Sequence, residues 1–421
     1  MDKFGFVKLK DVCNINMGQS PDSDSYNDNE DGIPFFQGNA DFGEKYPTTR
    51  KWCNAPTKIA HAEDILISVR APIGALNYAK EECCIGRGLA AITPNQDKVS
   101  SGFIYWLLKG KHKELNLQGT GSTFKAISRK VLEEIKVPDI ELKKQTELAG
   151  SLEKVYSVIQ LRKQQLEELD ILIKARFVEM FGNPEDSGNE WEQKPLFDLL
   201  NVIGGYAFKS DQFSEIGGIP VLRIGNINTG VFRPVNMVYW EDDEKLERYA
   251  IYAGDLVMSL TGTVGKDDYG NVCIMGNEYD KYYLNQRNAK LEIKSGLDKY
   301  YLSELLKFEC VKKKLTGISR GVRQANISNK DILNLVVNVP PIELQNQFAA
   351  FVTQVDKLKV EVQSIFLNCD SRSIFRYAQS IKGCKIEKYE RRCSFDTKRE
   401  CHRGNEKKWW ICYLSAIKSD C

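Results

Sequence analysis

The stretch VPDIELKKQTEL, Val137–Leu148, sets Pro138-Asp139 just ahead of Glu141-Leu142-Lys143. A Pro-Asp and an acidic-x-Lys pair are what a nuclease uses to hold a divalent cation while the lysine assists the attacking water. Such elements normally lie on neighbouring strands. Here they are consecutive, so they cannot wrap one ion. A second copy, VPPIELQNQFAA over Val339–Ala350, has Pro341 in place of Asp139 and Gln345 in place of Lys143, while Ile342, Glu343 and Leu344 persist. The copies share Val-Pro, Ile-Glu-Leu and a downstream glutamine, Gln145 or Gln347. That is the grammar of a strand end, a turn and a helix start, because proline is tolerated in a first helical turn and a carboxylate favours the positive helix N-terminus. The motif reads as a hinge.

Other catalytic signatures are missing from the sequence. Asn183-Pro184-Glu185 does not make the Asn/Asp-Pro-Pro-aromatic motif of adenine methyltransferases, and no G-x-x-x-x-G-K-[ST] phosphate loop occurs. Gly119-Thr120-Gly121 begins like a dinucleotide loop but continues Ser122-Thr123-Phe124 and follows a helical pattern. With only three histidines, a histidine-based zinc enzyme is not expected. The scattered cysteines, Cys13, Cys53, Cys83, Cys84, Cys273 and Cys310, read as reduced thiols; the other six of the 12 crowd into the tail from Cys369 onward. No apolar run approaches a membrane span and MDKFGFVKLKDV lacks the core of a signal peptide, so a cytoplasmic protein is expected. A net charge of +2 is low for a protein that grips many phosphates alone. If DNA is the ligand, a partner is expected to supply part of the positive surface.

The elements around the hinge also recur in order. GIPFFQGNADFG (Gly32–Gly43) is answered by GIPVLRIGNINTG (Gly218–Gly230), and EDILISVRAPIG (Glu63–Gly74) by GDLVMSLTGTVG (Gly254–Gly265). These are alternating, β-rich runs ending in glycine turns. The helical pattern SSGFIYWLLKGKHKELN (Ser100–Asn116) is answered by LDKYYLSELLKFECVKKKL (Leu297–Leu315), each followed by a glycine-bearing loop, GTGSTFKAIS and GISRGVRQANIS. The period of about 200 residues is too long for a solenoid and marks a duplicated domain.

After each hinge the texture becomes helical. Leu152, Val155, Ile159, Leu166, Leu169, Ile173 and Met180 recur at steps of three and four, as do Leu344, Phe348, Phe351, Val355, Leu358, Val362 and Ile365. Stripes this narrow predict coiled-coil seams, which satisfy each other if the helices run antiparallel. A helix of about 35 residues would be roughly 50 Å long, or about a turn and a half of DNA. The expected fold is α+β: two duplicated mixed α/β domains separated by two long helices in an antiparallel coiled coil. The expected boundaries are residues 1–136 and 182–338 for the domains, with hinge and helix over 137–181 and, truncated, over 339–365. Residues 366–421 form an atypical tail rich in cysteine, lysine and arginine, read as out of frame or joined by recombination.

The paired VP-x-IEL hinges, the paired GTGS and GISRG loops, and FVEMFGNP at the end of the first helix together resemble the specificity subunit of type I restriction-modification systems. The resemblance implies a non-catalytic subunit whose two target-recognition domains each read half of a split, asymmetric double-stranded DNA site. It implies that the helices set the gap and dock two methyltransferase subunits, with motor-nuclease subunits joining for cleavage. It also implies that S-adenosylmethionine, ATP and magnesium sit on those partners and no cofactor on this chain. Bidentate arginine–guanine and Gln/Asn–adenine pairs are the contacts to look for. They point to Arg70, Arg87, Ser122, Thr123 and Lys125 in the first domain, and to Arg223, Thr261, Arg287, Arg320, Arg323 and Gln324 in the second. Gln19 and Ser20 belong to a further polar loop. The rival readings are a nuclease and a protein-binding adaptor.

Overall fold

In the computed structural model, residues 5–120, 125–186, 191–317 and 324–382 are described. By contacts the chain divides into two units: residues 1–162 with 365–385, and residues 163–364 with 386–421.

The first unit is built on two sheets. One has the antiparallel order Cys13–Met17, Leu89–Pro94, Ile65–Ser68, Leu76–Tyr78. The other runs Tyr26–Asn27, Trp52–Cys53, Ile33–Phe36, Cys83–Ile85, Ile59–Ala60, with Phe35 and Cys84 in a parallel pair. Strand Ile65–Ser68 is buried on both faces. Ile65 and Ile67 join the core of Leu9, Ile92, Phe103 and Leu108, while Leu66 joins Phe36, Ile85 and Leu89. That split follows from the two-residue period of a strand, and it explains the unbroken apolar run ILIS.

The second unit repeats the plan. Its first sheet has the order Leu200–Gly204, Asn288–Ile293, Leu256–Ser259, Val272–Ile274; its second runs Val238–Trp240, Ile219–Leu222, Tyr282–Leu284, Ala250–Ile251. Leu256 and Met258 face one core and Val257 the other.

Three expectations from the sequence need correction. Each amphipathic pattern is two helices, not one: Ser101–Gly110 and His112–Gln118, then Lys299–Lys307 and Glu309–Thr316. Phe308 breaks the second pattern with an extended backbone while its side chain enters the core, so packing overrides helical continuity. The second long helix does not stop near Ile365 but spans Ile342–Lys382. No proline or glycine interrupts it before Gly383, and intrinsic propensity carries the backbone on where the seam pattern fades. Residues 383–421, which hold most of the tail, lie outside the described residues.

The third correction concerns the hinges. Strand Lys136–Asp139 pairs with Gly5–Lys8, placing Asp139 opposite Gly5; strand Val336–Val339 pairs with Glu192–Pro195, placing Val339 opposite Glu192. The long helices begin at Leu142 and Ile342. Asp139 therefore corresponds to Val339 rather than Pro341, and Gln145 to Gln345 rather than Gln347. The glutamine hydrogen bonds agree. Gln145 Oε1 accepts from Ser100 N (2.9 Å) and its Nε2 donates to Ile140 O (2.8 Å). Gln345 Oε1 accepts from Asp298 N (2.8 Å) and its Nε2 donates to Pro340 O (2.8 Å). The sequence match was out of register by two residues. Such a slip keeps the facing of every strand side chain, so the apolar pattern cannot reveal it.

Within the second unit the two long helices run antiparallel. Lys359 Nζ lies 2.7 Å from Asp170, and the Phe177 ring packs 5.5 Å from that of Phe348. Burial works to lower the Lys359 pKa, but its hydrogen bond to Asp170 and the charges of Asp170 and Asp356 leave it raised. Phe177 and Phe181 are buried in the seam, with Met180 partly buried against the same core.

Candidate nucleic-acid interface

The first unit gathers several predicted residues at one edge, and backbone hydrogen bonds define how. Val69 N donates to Gly88 O (2.9 Å), Ile127 N to Val69 O (2.9 Å), and Ala71 N to Lys125 O (3.1 Å). Arg70 is thus flanked by Arg87-Gly88 on one side and Lys125-Ala126 on the other. The three cations are exposed, and among the described residues neither guanidinium has a carboxylate partner. The Gln19 loop closes on the same place, with Gly18 N donating to Leu89 O (2.9 Å) and Gln19 N to Ile85 O (3.0 Å). A Cβ on Gly18 would stand 2.3 Å from Gly86 O, so only glycine lets the strands approach. Ser20 Oγ accepts from Gln37 Nε2 at 3.3 Å and lies 3.5 Å from the Arg87 backbone nitrogen. Ser122 and Thr123 lie outside the described residues.

The second unit carries the same frame. Gly205 N donates to Asn288 O (3.1 Å), Tyr206 N to Leu284 O (2.8 Å), Leu260 N to Arg287 O (2.8 Å) and Ile327 N to Leu260 O (2.8 Å). Gly205 is the counterpart of Gly18: its Cβ would fall 2.2 Å from Asn285 O. In this frame Thr261 stands where Arg70 stands, and Arg287 where Gly88 stands. Arg287 is exposed. Thr261 is buried and its Oγ1 donates to Asn326 Oδ1 at 2.8 Å, which makes it a clamp on the strand pair Thr261–Thr263 and Gln324–Asn326. The Arg223 guanidinium is half-buried and donates to Asn236 O. The backbone of Gln324 pairs with Thr263, but its side chain lies outside the described residues, as do Arg320 and Arg323.

Among the described residues the first unit has a bridge, Arg70 to Ala126, where the second has a strand pair, Thr261–Thr263 with Gln324–Asn326.

A second charged feature, in the second unit, behaves differently. A cleft of about 840 Å³ is lined by Lys174, Lys307, Lys312 and Lys313. Its cations are largely neutralised within the cleft wall: Lys313 bonds Glu309 (2.6 Å), Lys307 bonds Glu304 (2.5 Å), and Lys312 bonds Asp267. This is an ionic fabric holding helices and loops together, whereas the Arg70 edge has no carboxylate partners among the described residues.

Sequence reasoning overlooked two exposed residues in these frames, Gln37 and Gln286. Gln37 was within sight, aligned with Arg223 in GIPFFQ and GIPVLR. Gln286 was hidden, because CCIGRGLAAI and YYLNQRNAKL share an apolar rhythm and almost no residues.

Comparison with known proteins places this geometry. The family model described as "Type I restriction modification DNA specificity domain" matches residues 1–170 and again 188–364. A Methanocaldococcus jannaschii chain assigned as the specificity subunit of type I restriction enzyme MjaX is 43% identical over 156 residues, 37% of this chain and 37% of that one. The MjaVIII specificity subunit of the same organism is 26% identical over 283 residues, covering 61% of this chain and 63% of that subunit. These alignments thus span less than two thirds of either relative. The crystal structure of a type I restriction-modification system S subunit from M. genitalium shares the fold, with a TM-score of 0.56 at 13% identity over 90% of this chain and 96% of that one.

Proposed function

This chain belongs to the type I restriction modification DNA specificity family, and we propose on that premise that it is the DNA-reading subunit of a restriction-modification complex. Each duplicated domain, residues 1–136 and 182–338, reads one half of a split asymmetric site. The long helices set the gap between the halves and dock two methyltransferase subunits, and motor-nuclease subunits join for cleavage. The methyl donor, ATP and magnesium belong to those partners, and this chain performs no chemistry of its own. Its place of work is the cytoplasm, where DNA is; among the described residues no helix is long and apolar enough to cross a membrane.

One observation carries the reading. Two copies of the same hydrogen-bonded frame present different polar side chains at the same exposed edge. A fixed scaffold with variable polar tips is what reading two different half-sites requires, since phosphate contacts position a reader and side chains at base edges specify it. Arg70, Arg87 and Lys125 are the first domain's contacts, and Arg223 and Arg287 are the second's, joined in the proposal by Ser122, Thr123, Arg320, Arg323 and Gln324. The buried Thr261 supports its neighbours rather than touching a base.

The test uses the purified full chain. Alone it transfers no methyl group and cuts no DNA; with its methyltransferase partner and methyl donor it directs methylation to one bipartite sequence. Methyl transfer by the chain alone contradicts the reading. Partner binding without any sequence-specific footprint would make the chain a protein adaptor instead.

A further inference from the structure

The two frames can be superimposed bond by bond at the positions the sequence obscured. In the first unit Gly86 N donates to Phe36 O (2.8 Å) and Leu89 N to Gly86 O (3.0 Å). In the second, Asn285 N donates to Leu222 O (3.3 Å) and Asn288 N to Asn285 O (2.9 Å). Phe35 and Phe36 pair in parallel with Cys84 and Ile85, as Val221 and Leu222 do with Tyr283 and Leu284. These bonds leave one register. The residue after the first strand is Gln37 in one domain and Arg223 in the other. The tip of the turn beside it is Arg87 in one domain and Gln286 in the other.

The residue types are therefore exchanged. Each domain places one glutamine and one arginine at the same two neighbouring positions, in opposite order. Ser20 Oγ, in reach of both Gln37 Nε2 and the Arg87 backbone, shows how close the two positions are. The first position is anchored through its backbone in both domains: Gln37 N donates to Asp41 Oδ2 and Arg223 N to Asn226 Oδ1, each at 3.0 Å. Gln37, Arg87 and Gln286 are exposed. Arg223 spends one nitrogen on Asn236 O, which fixes its plane and leaves its other N–H groups to donate.

Arginine pairs bidentately with guanine O6 and N7, and glutamine with adenine N6 and N7. Resting on the DNA-reading function above, we propose that Gln37 with Arg87, and Arg223 with Gln286, are the specificity-determining pairs of the two half-sites. Each pair contacts one adenine and one guanine, and the exchange gives the two domains different targets on one scaffold.

The experiment selects bound DNA from a library randomised over the site, using the full chain assembled with its methyltransferase partner. Wild type is compared with the double exchange Gln37→Arg, Arg87→Gln, and thermal melting checks that each chain is folded. The expected result is an altered preference at one or two base pairs of one half-site, with roughly tenfold or greater loss for the original bases. The other half-site and the gap stay as in wild type. If the double variant melts early, Gln286→Arg alone, at an exposed turn tip, makes the same test on the other half-site. An unchanged preference overturns the proposal, and so does an equal loss on every sequence, which would make these residues positioning contacts. A wild-type complex with no sequence preference would instead refute the DNA-reading function itself.

Discussion

The two duplicated units share a backbone plan and differ in how they hold their helix. In the second unit the helix end is sunk in an aromatic core: Phe177 packs on Phe181 (4.9 Å), Phe308 (5.0 Å), Tyr301 (5.3 Å) and Phe348 (5.5 Å). In the first, the same long helix gives the buried core only the small Ala149, and its aromatic contact is Tyr156, half-buried, edge-on to Trp106 at 5.3 Å and beneath the Lys109 ammonium at 3.6 Å. One attachment is an aromatic core; the other is a small buried side chain and a half-buried ring with a cation on it. A duplicated frame can thus be conserved in its hydrogen bonds while its anchorage drifts, because the bonds are set by backbone and the anchorage by replaceable side chains.

The largest effect should come from that difference. Phe177→Ala removes a fully buried ring and is expected to cost about 3–5 kcal/mol. Tyr156→Ala should cost about 1 kcal/mol, the scale of an exposed aromatic and cation contact. Denaturant unfolding of the two variants checks this; equal costs would mean that both attachments are cores.

Next come the two glutamine locks, where the units should behave alike. Gln145 and Gln345 are both buried, and each ties a helix N-terminus to the turn ahead of the domain's helical layer. Replacing either with leucine leaves a buried backbone N–H without its acceptor, at about 1–3 kcal/mol. Gln347→Leu should cost well under that in the same unfolding measurement. A large loss at Gln347 and none at Gln345 would restore the register read from sequence.

The smallest effect distinguishes the units by pH. In the second, Lys281 bridges Asp242 (2.8 Å) and Glu247 (2.9 Å). The hydrogen bond from Lys281 holds the Asp242 carboxyl below its ordinary range, and hydrogen bonds from Tyr252 and Lys281 do the same for Glu247. Groups with depressed folded pKa values contribute stability above their unfolded pKa, near 4, and lose it as pH falls through the folded value. All three groups are solvent-accessible, so the contribution is small. Lys281→Met should lower the melting temperature slightly at pH 7, and the difference from wild type should vanish in acid. A difference that persists in acid would assign the loss to packing rather than charge.

Much of this organisation was legible in the sequence. The duplication, the α+β class and the long helices follow from apolar period and glycine turns, which one chain displays directly. Position within the repeat was less legible. VPDIEL and VPPIEL align two residues away from where Gln145 and Gln345 place them, because a strand tolerates an even slip. Arg70 and Arg87 were legible as candidates because arginine at a turn is conspicuous. Gln286 was not, because only the bonds from Asn285, Tyr206 and Leu260 identify it as the counterpart of Arg87. Thr261 misled for a related reason: a turn position in sequence became a strand in space, with its hydroxyl satisfied by Asn326.

The central claim is that the two frames read independently. Its most direct test replaces Gly182–Asn338 with the corresponding segment of a relative and maps methylated sequences in DNA modified by the assembled complex. The account predicts that one half of the recognised site changes while the other half and the gap between them stay the same. A change in both halves together would contradict it.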